Sequence, residues 1–176
     1  MNCRRTYHRL ALLTFAALLA PSSWAEIPSA ADGCVDDLVE TTPSSDFTTL
    51  DGGAVVRHES TELEWRRCPE GMDWTDGGCA GSADTMNWQG ALQHADGVAG
   101  WRLPNVNELR SIAERCRTGP TINQEVFPDT PASHFWSASP YAGASGRAWN
   151  VGFNYGNDGR SYKSYGGRLR LVRGGQ

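Results

Sequence analysis

The chain has 176 residues, a formal net charge of −4, five Cys, seven Trp and 20 Gly. This length fits one domain of ordinary size with a short extension. A hydrophobic fraction of 39% with 10% aromatic residues excludes a disordered chain, and the acidic balance argues against a general nucleic-acid binder.

The first 25 residues have the anatomy of a secretory signal peptide. Three Arg within residues 4–9 form a basic start, and residues 10–20 are an apolar run that is too short to span a bilayer. Small residues stand at the third and first positions before a predicted cut at Glu26. We therefore predict a signal peptide at 1–25, an N-terminal arm at 26–45 and one domain at 46–176. The protein is expected in the periplasm or at the cell surface, with no transmembrane segment in the mature chain.

The remaining charge divides along the chain. Residues 26–100 hold 15 acidic and 3 basic residues, whereas residues 101–176 hold 5 acidic and 10 basic residues. In the last 30 residues Asp158 is the only acidic residue. This division predicts either charge pairing within the fold or a face that attracts anions, and the sequence leaves both open.

Four Cys follow the signal peptide: Cys34, Cys68, Cys79 and Cys116. An even number in an exported chain predicts two disulfides. Cys68 and Cys79 bracket a turn-rich polar loop, so their pairing is the shortest closure, and it leaves Cys34 with Cys116. A zinc site is the alternative, but the chain has no Cys-x-x-Cys pair and no His near enough to complete a finger.

The first half of the domain predicts short strands and two helices. Residues 54–58 and 61–66 have strand patterns, and 101–103 is a third short strand. Asn87 is expected to cap a helix that runs to about residue 96. Asn105 and Glu108 have the spacing of a capping box. That box opens a second helix ending near 118–120, with Leu109, Ile112 and Ala113 inward and Arg110, Glu114 and Arg117 outward.

The second half predicts strands. Residues 121–132 are expected to form an irregular loop, followed by strands at 135–139 and 149–153 and a turn at 156–159. A last strand is expected where Leu169 and Leu171 alternate with Arg168, Arg170 and Val172. Two helices followed by several strands predict an α+β domain.

Several short sequence motifs occur together along the chain in a fixed order. Trp-Arg-Leu-Pro-Asn stands at 101–105, Phe-Trp-Ser-Ala-Ser at 135–139, Ala-Trp-Asn-Val at 148–151 and Arg-Leu-Val-Arg at 170–173. With these motifs the chain resembles the family typified by the C-terminal domain of the Legionella collagen-like protein. More remotely, it is similar to the formylglycine-generating sulfatase-modifying fold. The resemblance covers roughly residues 34–176. It implies a C-type-lectin-like α+β domain with two helices and a mainly antiparallel sheet, stapled by disulfides.

The sequence offers little for catalysis. Formylglycine-type enzymes need a reactive Cys pair, whereas these Cys are better explained as bridges. The chain has no Gly-x-Ser-x-Gly, His-Glu-x-x-His or phosphate loop, and His58, His94 and His134 are expected to be surface or packing residues. The sugar-binding triplets of calcium-dependent lectins are absent, so calcium is not supported by a motif. We expect no enzyme activity and no cofactor.

Binding is better supported. In residues 152–168, Gly, Tyr, Ser and Asn make up 12 of 17 positions, which is the composition of antibody binding loops. Arg can grip sulfate, phosphate or carboxylate, and Tyr can stack on a sugar ring. The alternative is a solvated Gly-rich hairpin with no specific role. The family resemblance implies surface adhesion, anionic-glycan binding and, in some members, diversification by retroelements between the Ala-Trp strand and the closing strand.

The predicted function is therefore an exported binding or adhesion module for an anionic glycan or a protein partner, with no nucleic-acid ligand and with a homo-oligomer possible. The alternatives are a formylglycine-type enzyme or accessory subunit, and a structural part of an envelope or fimbrial assembly. The scaffold positions are Trp136, Trp149, Val151, Phe153, Leu169 and Leu171. The ligand-binding positions are Asn150, Asn154, Tyr155, Asn157, Asp158, Arg160, Tyr162, Lys163, Tyr165 and Arg168.

Overall fold

The computed structural model describes residues 34–35 and 38–175. The predicted signal peptide lies outside the described residues, as does the first part of the predicted arm. Within the described part, no helix has the length and apolar character needed to cross a membrane.

Two helices and nine short strands form the described domain. In chain order they are β1 (Phe47–Leu50), β2 (Val55–His58), β3 (Leu63–Arg66), β4 (Met72–Thr75), β5 (Gly78–Gly81), α1 (Trp88–Asp96), α2 (Val106–Arg110), β6 (His134–Pro140), β7 (Arg147–Gly152), β8 (Asn157–Tyr162) and β9 (Val172–Arg173). The strands make a four-stranded sheet in the order β1-β2-β3-β9, the hairpin β4-β5 and a three-stranded sheet β6-β7-β8. All these pairings are antiparallel. The α+β class is confirmed.

Both predicted helix caps are present. The side chain of Asn87 accepts from the backbone N–H of Gly90 at 2.8 Å, which starts α1. At α2, Asn105 and Glu108 form the reciprocal capping box. Glu108 also binds the guanidinium of Arg102 at 2.7 and 2.8 Å, so the cap ties the preceding segment to the helix.

The second helix ends earlier than predicted, and two residues that were expected on its outward side are buried instead. The backbone N–H of Glu114 donates to Thr121 at 3.0 Å instead of continuing the helical ladder. Glu114 and Arg117, predicted to point outward, are both buried. Glu114 accepts from the N-terminal arm, and Arg117 pairs with Glu40 at 3.0 Å. The chain leaves the helix to make these long-range contacts.

The closing segment also differs from its predicted alternation. Leu169 and Leu171 are buried as expected, but Arg170 and Val172 are fully buried too. The guanidinium of Arg170 donates to the backbone carbonyls of Arg66 and Arg67 and to the hydroxyl of Thr130. The alternation does not separate a buried side from an exposed side, because this segment lies between two hydrophobic clusters.

The β7–β8 hairpin turns earlier than predicted. Its turn covers residues 153–156, so the predicted turn at 156–159 was wrong except at Gly156. Phe153 is held by neighbouring segments: its N–H donates to Ser133 at 2.9 Å and its carbonyl accepts from Thr121 at 2.7 Å. These bonds take the chain out of the sheet at Phe153. Gly156 has a φ of 69°, which favours glycine at this position.

Both predicted disulfides are confirmed. Cys34 is bonded to Cys116 and Cys68 to Cys79. The first bond closes the N-terminal arm onto the segment after α2. The second closes the segment that contains β4, which was predicted as a loop and is one half of a hairpin.

Candidate functional site

The hairpin of β7 and β8 brings cations and aromatic rings onto one face. Its register places Arg147 opposite Tyr162 and Trp149 opposite Arg160. Residues directly opposite each other, and residues two apart on one strand, share a face of a sheet. The four side chains therefore line one face at the end of the hairpin away from its turn.

These side chains contact each other as cation–aromatic pairs. The guanidinium of Arg147 lies 4.4 Å from the ring centre of Tyr162. That of Arg160 lies 5.2 Å from the ring of Tyr141 and 5.7 Å from that of Trp149, and it donates to the Tyr141 hydroxyl at 3.2 Å. Tyr141 and Trp149 also meet edge to face. Such contacts hold a guanidinium in place without neutralising its charge.

Lys163 adds a third cation at the same end of the hairpin. Its ammonium lies 4.3 Å from the ring centre of Trp88, the first residue of α1. The indole N–H of Trp88 donates to the carbonyl of Ser137 at 2.8 Å, which fixes the ring. Lys163 follows the strand and lies beside an open groove. We call Trp88, Tyr141, Arg147, Trp149, Arg160, Tyr162 and Lys163 together the cation–aromatic cluster.

The cluster carries positive charge that the fold does not compensate. Among the described residues, six Arg form ion pairs with carboxylates, and three others donate to backbone carbonyls. Three of the remaining four basic side chains belong to the cluster; the fourth is Arg115. The nearest acid in the sequence, Asp158, pairs instead with Arg110 of α2 at 3.7 Å. The fold thus pairs six of these cations with carboxylates and leaves the three of the cluster without an acidic partner among the described residues. That this group attracts anions stays a prediction.

The ten predicted ligand-binding residues do not form one patch. Asn154, Tyr155, Asn157 and Asp158 lie at or beside the hairpin turn, whereas Arg160, Tyr162, Lys163 and Tyr165 lie at the opposite end. Asp158 and Arg160 are two residues apart on β8, about 7 Å, whereas Asn157 and Tyr162 at the two ends of the strand are about 17 Å apart. The predicted set therefore extends along the whole strand instead of forming one compact patch.

The other two of the ten residues, which belong to neither group, form hydrogen bonds within the fold. Asn150 is buried, and its amide donates to the hydroxyl of Ser161 at 3.0 Å. Its side chain therefore faces the protein and not solvent. Arg168 is half-buried and donates to the carbonyl of Ala83.

Four residues of the cluster were not among the ten: Trp88, Tyr141, Arg147 and Trp149. Trp149 was assigned to the scaffold, yet it is only half-buried and forms part of the cluster, whereas the other five scaffold residues are buried. The pairing of Arg147 with Tyr162 follows from the hairpin register. If the hairpin turn had been predicted at residues 153–156, the sequence would have given the pairing of Arg147 with Tyr162.

The structure also places the residues considered for metal or acid–base chemistry. Cys34, Glu114 and Cys116 lie within metal-binding distance of one another, but the two sulfurs are joined in a disulfide and offer no thiolate. His58 is buried and stacks on Phe47, and burial lowers its pKa. His94 contacts the buried carboxylate of Glu70 at 2.6 Å.

The model of one protein family, the Lcl C-terminal domain, matches residues 54–173. The chain belongs to the Lcl C-terminal domain family. This match confirms the resemblance read from the sequence motifs, and the whole cation–aromatic cluster lies within it. A search of curated proteins found no match to the chain. The matched residues of this Lcl C-terminal domain also include three of the four described cysteines.

Proposed function

We propose that this protein is an exported binding module whose cation–aromatic cluster holds an anionic glycan. The observation that carries the proposal is the group of three cations on aromatic rings, none of which has an acidic partner among the described residues. An acidic protein surface is the alternative ligand, and the test below distinguishes it.

The chemistry of the cluster suits sulfate or carboxylate groups on a sugar chain. A guanidinium stacked on a ring still presents N–H donors at its edge, which can grip an oxyanion with two parallel bonds. The rings of Tyr162 and Trp149 are partly exposed beside the cations and offer apolar faces to sugar C–H groups. A chain of charged sugars would contact both kinds of group along the strand direction.

Export is the second part of the proposal. Two disulfides are typical of proteins from oxidising compartments, and the first 25 residues have the pattern of a signal peptide. Adhesion is what the sequence resemblance implied, and it is proposed on that basis alone. We also propose that the domain is not an enzyme, because each described Cys is engaged in a bridge that closes the fold.

Affinity for heparin across a salt series tests the proposal, with dextran as the neutral polymer and an acidic protein as a third probe. Charge-driven binding should be strongest at low salt, because the Debye length falls from about 10 Å at 0.1 M to about 3 Å at 1 M. Absence of heparin binding at the lowest salt contradicts the glycan proposal. Binding to the acidic protein alone would favour a protein partner.

Three variants locate the binding. Arg147→Gln and Arg160→Gln should each weaken heparin affinity about tenfold, or ~1.4 kcal/mol. Arg115→Gln removes the same charge from an exposed position outside the cluster and should leave the affinity unchanged. Arg160→Lys keeps the charge but loses the planar fork, so an intermediate loss is expected. Equal losses in all the Gln variants would show a general charge effect and contradict a local site.

Diversification of the hairpin is a further possibility that the resemblance raised. A reverse transcriptase gene beside this gene, with a near-copy of the segment that encodes residues 145–170, would support it. The exposed residues at the hairpin turn, such as Tyr155, would then vary between copies. The absence of both would contradict diversification by this mechanism.

A further inference from the structure

A second concave site lies away from the cation–aromatic cluster. It is a pocket of about 290 Å³ between Trp74 and Trp101, and no residue of the cluster lines it. Its apolar lining comes from Ala54, Val55 and Met72. The pocket is open to solvent and large enough for one small ring.

The two indole walls are held in place. Trp74 lies on β4 opposite Cys79, so the Cys68–Cys79 disulfide anchors its strand. Its indole N–H donates to the carbonyl of Gly52 at 3.2 Å. Trp101 is fixed by two guanidiniums over its ring, at 5.2 Å for Arg66 and 4.6 Å for Arg173. A ligand entering the pocket would find both walls already ordered, which reduces the entropy cost of binding.

The charges around the pocket are mixed. Arg66 pairs with Glu70 at 3.0 Å and Arg173 with Asp51 at 3.2 Å. The fifth charged group, Asp73, is exposed and has no hydrogen-bond or ion-pair partner among the described residues. The lining therefore holds one more carboxylate than guanidinium, which disfavours an anion. The two guanidiniums over Trp101 disfavour a cation at the same ring.

We infer that this pocket binds a neutral polyhydroxylated ring, such as one uncharged sugar residue. Hydroxyl groups can donate to the carboxylates and accept from the guanidiniums, so they suit a rim that offers both. Guanidiniums cover part of each ring: Arg67 lies 4.2 Å from the ring centre of Trp74, and Arg66 and Arg173 lie over Trp101. The C–H face of a sugar ring can lie against the ring surfaces that these cations leave exposed to the pocket. This site goes beyond the proposed anion-binding function, because it selects a ligand without charge.

The indole N–H signals of the processed, ¹⁵N-labelled protein give the test. Glucose, galactose and N-acetylglucosamine are added separately up to about 50 mM, well above a dissociation constant of about 1 mM. The signals of Trp74 and Trp101 should shift and saturate with at least one sugar, whereas those of Trp88 and Trp149 should not. The absence of a saturable shift at Trp74 and Trp101 with all three sugars overturns the inference.

Two variants and a matched control define the site. Trp101→Leu should abolish the saturable shift at Trp74. Asp73→Ala, at an exposed position where folding is not at risk, should weaken binding about fivefold, the effect of one exposed hydrogen bond. Asp96→Ala removes an exposed carboxylate at the end of α1 and should change nothing. Unchanged affinity in Asp73→Ala and Trp101→Leu places the sugar elsewhere and contradicts the inference.

Heparin separates this site from the cluster. It should leave the Trp74 and Trp101 signals in place, and a shift there would show that the pocket accepts anions, which also overturns the inference. Heparin shifts at Trp88 and Trp149 concern only the proposed function. The two sites can therefore fail independently.

Discussion

Replacing Glu114 with Gln should loosen the attachment of the N-terminal arm. The Glu114 carboxylate is fully buried and accepts from Thr41 and Thr42 of the arm and from the N–H of Cys116. One oxygen accepts the N–H of Thr42 at 2.7 Å, and the other accepts the N–H of Cys116 at 3.2 Å. In Gln one of these oxygens becomes an NH₂ group, so one backbone N–H faces a donor.

The expected loss is about 3 kcal/mol of unfolding free energy. A buried donor left without an acceptor costs roughly 1–3 kcal/mol, and a hydrogen bond to a charged group is worth roughly 1.5–3 kcal/mol. The two contributions overlap, so the sum of the upper values is not reached.

The pH dependence follows from the pKa of Glu114. Burial alone would raise this pKa, but the hydrogen bonds from Thr41, Thr42 and Cys116 outweigh burial and hold it below 4.5. A carboxyl whose pKa is lowered by folding stabilises the protein fully above its unfolded pKa. That stabilisation is lost as the pH falls through the folded pKa. The difference between wild type and Glu114→Gln should therefore be full at neutral pH and shrink in acid.

Urea unfolding followed by Trp fluorescence measures both effects, at about pH 7 and about pH 3. Glu125→Gln is the matched control, because Glu125 is exposed and accepts from Ser44 of the same arm at 2.7 Å. Its effect should stay within about 0.5 kcal/mol. Equal midpoints for wild type and Glu114→Gln at pH 7, or a difference that does not change with pH, would refute the reasoning.

Three further predictions concern the disulfides, the buried cation and export. Removing the Cys68–Cys79 bridge with two Ala should cost roughly 2–3 kcal/mol in urea unfolding, since it closes a short loop, and free thiols in the native protein would contradict the bridge itself. Arg170→Ala should cost roughly 3–5 kcal/mol, because it leaves two partly buried carbonyls and a buried hydroxyl without their donor, each at roughly 1–3 kcal/mol; a loss below about 1 kcal/mol would show that the network contributes little. N-terminal sequencing of the exported protein should begin at Glu26, and a mature protein that still carries residue 1 would contradict the signal peptide.

Local features of this fold could be predicted from the sequence. The caps at Asn87 and Asn105 depend on residues two or three positions away, so their pattern is visible in a short window. The disulfide pairing followed from the short spacing of one pair, which left a single partner for each remaining Cys. The finer C-type-lectin-like architecture stays a prediction.

Features that depend on distant segments could not be predicted. Glu114 fits the polar side of a helix, yet its partners Thr41 and Thr42 lie more than 70 residues earlier. Arg170 fits the outward side of a strand, yet its acceptors come from residues 66, 67 and 130. In both cases a charged side chain is buried because another segment supplies its hydrogen bonds.

The surface proposed for binding could be located only in part from the sequence, for the same reason. The Tyr-rich and basic composition pointed to the β7–β8 hairpin. Composition alone did not show which residues stand opposite each other. Residues of the cluster and residues at the hairpin turn were therefore predicted as one surface. Trp88 comes from α1 and joins the cluster only through the folded chain.

The central claim is that three cations on aromatic rings bind an anionic glycan at one end of the β7–β8 hairpin. The most direct measurement follows the indole N–H signals of the labelled protein during a heparin titration at low salt. We predict saturable shifts of Trp88 and Trp149 that are lost in a variant carrying Arg147→Gln and Arg160→Gln. Heparin binding that leaves both signals unchanged, or no binding at low salt, would contradict the claim.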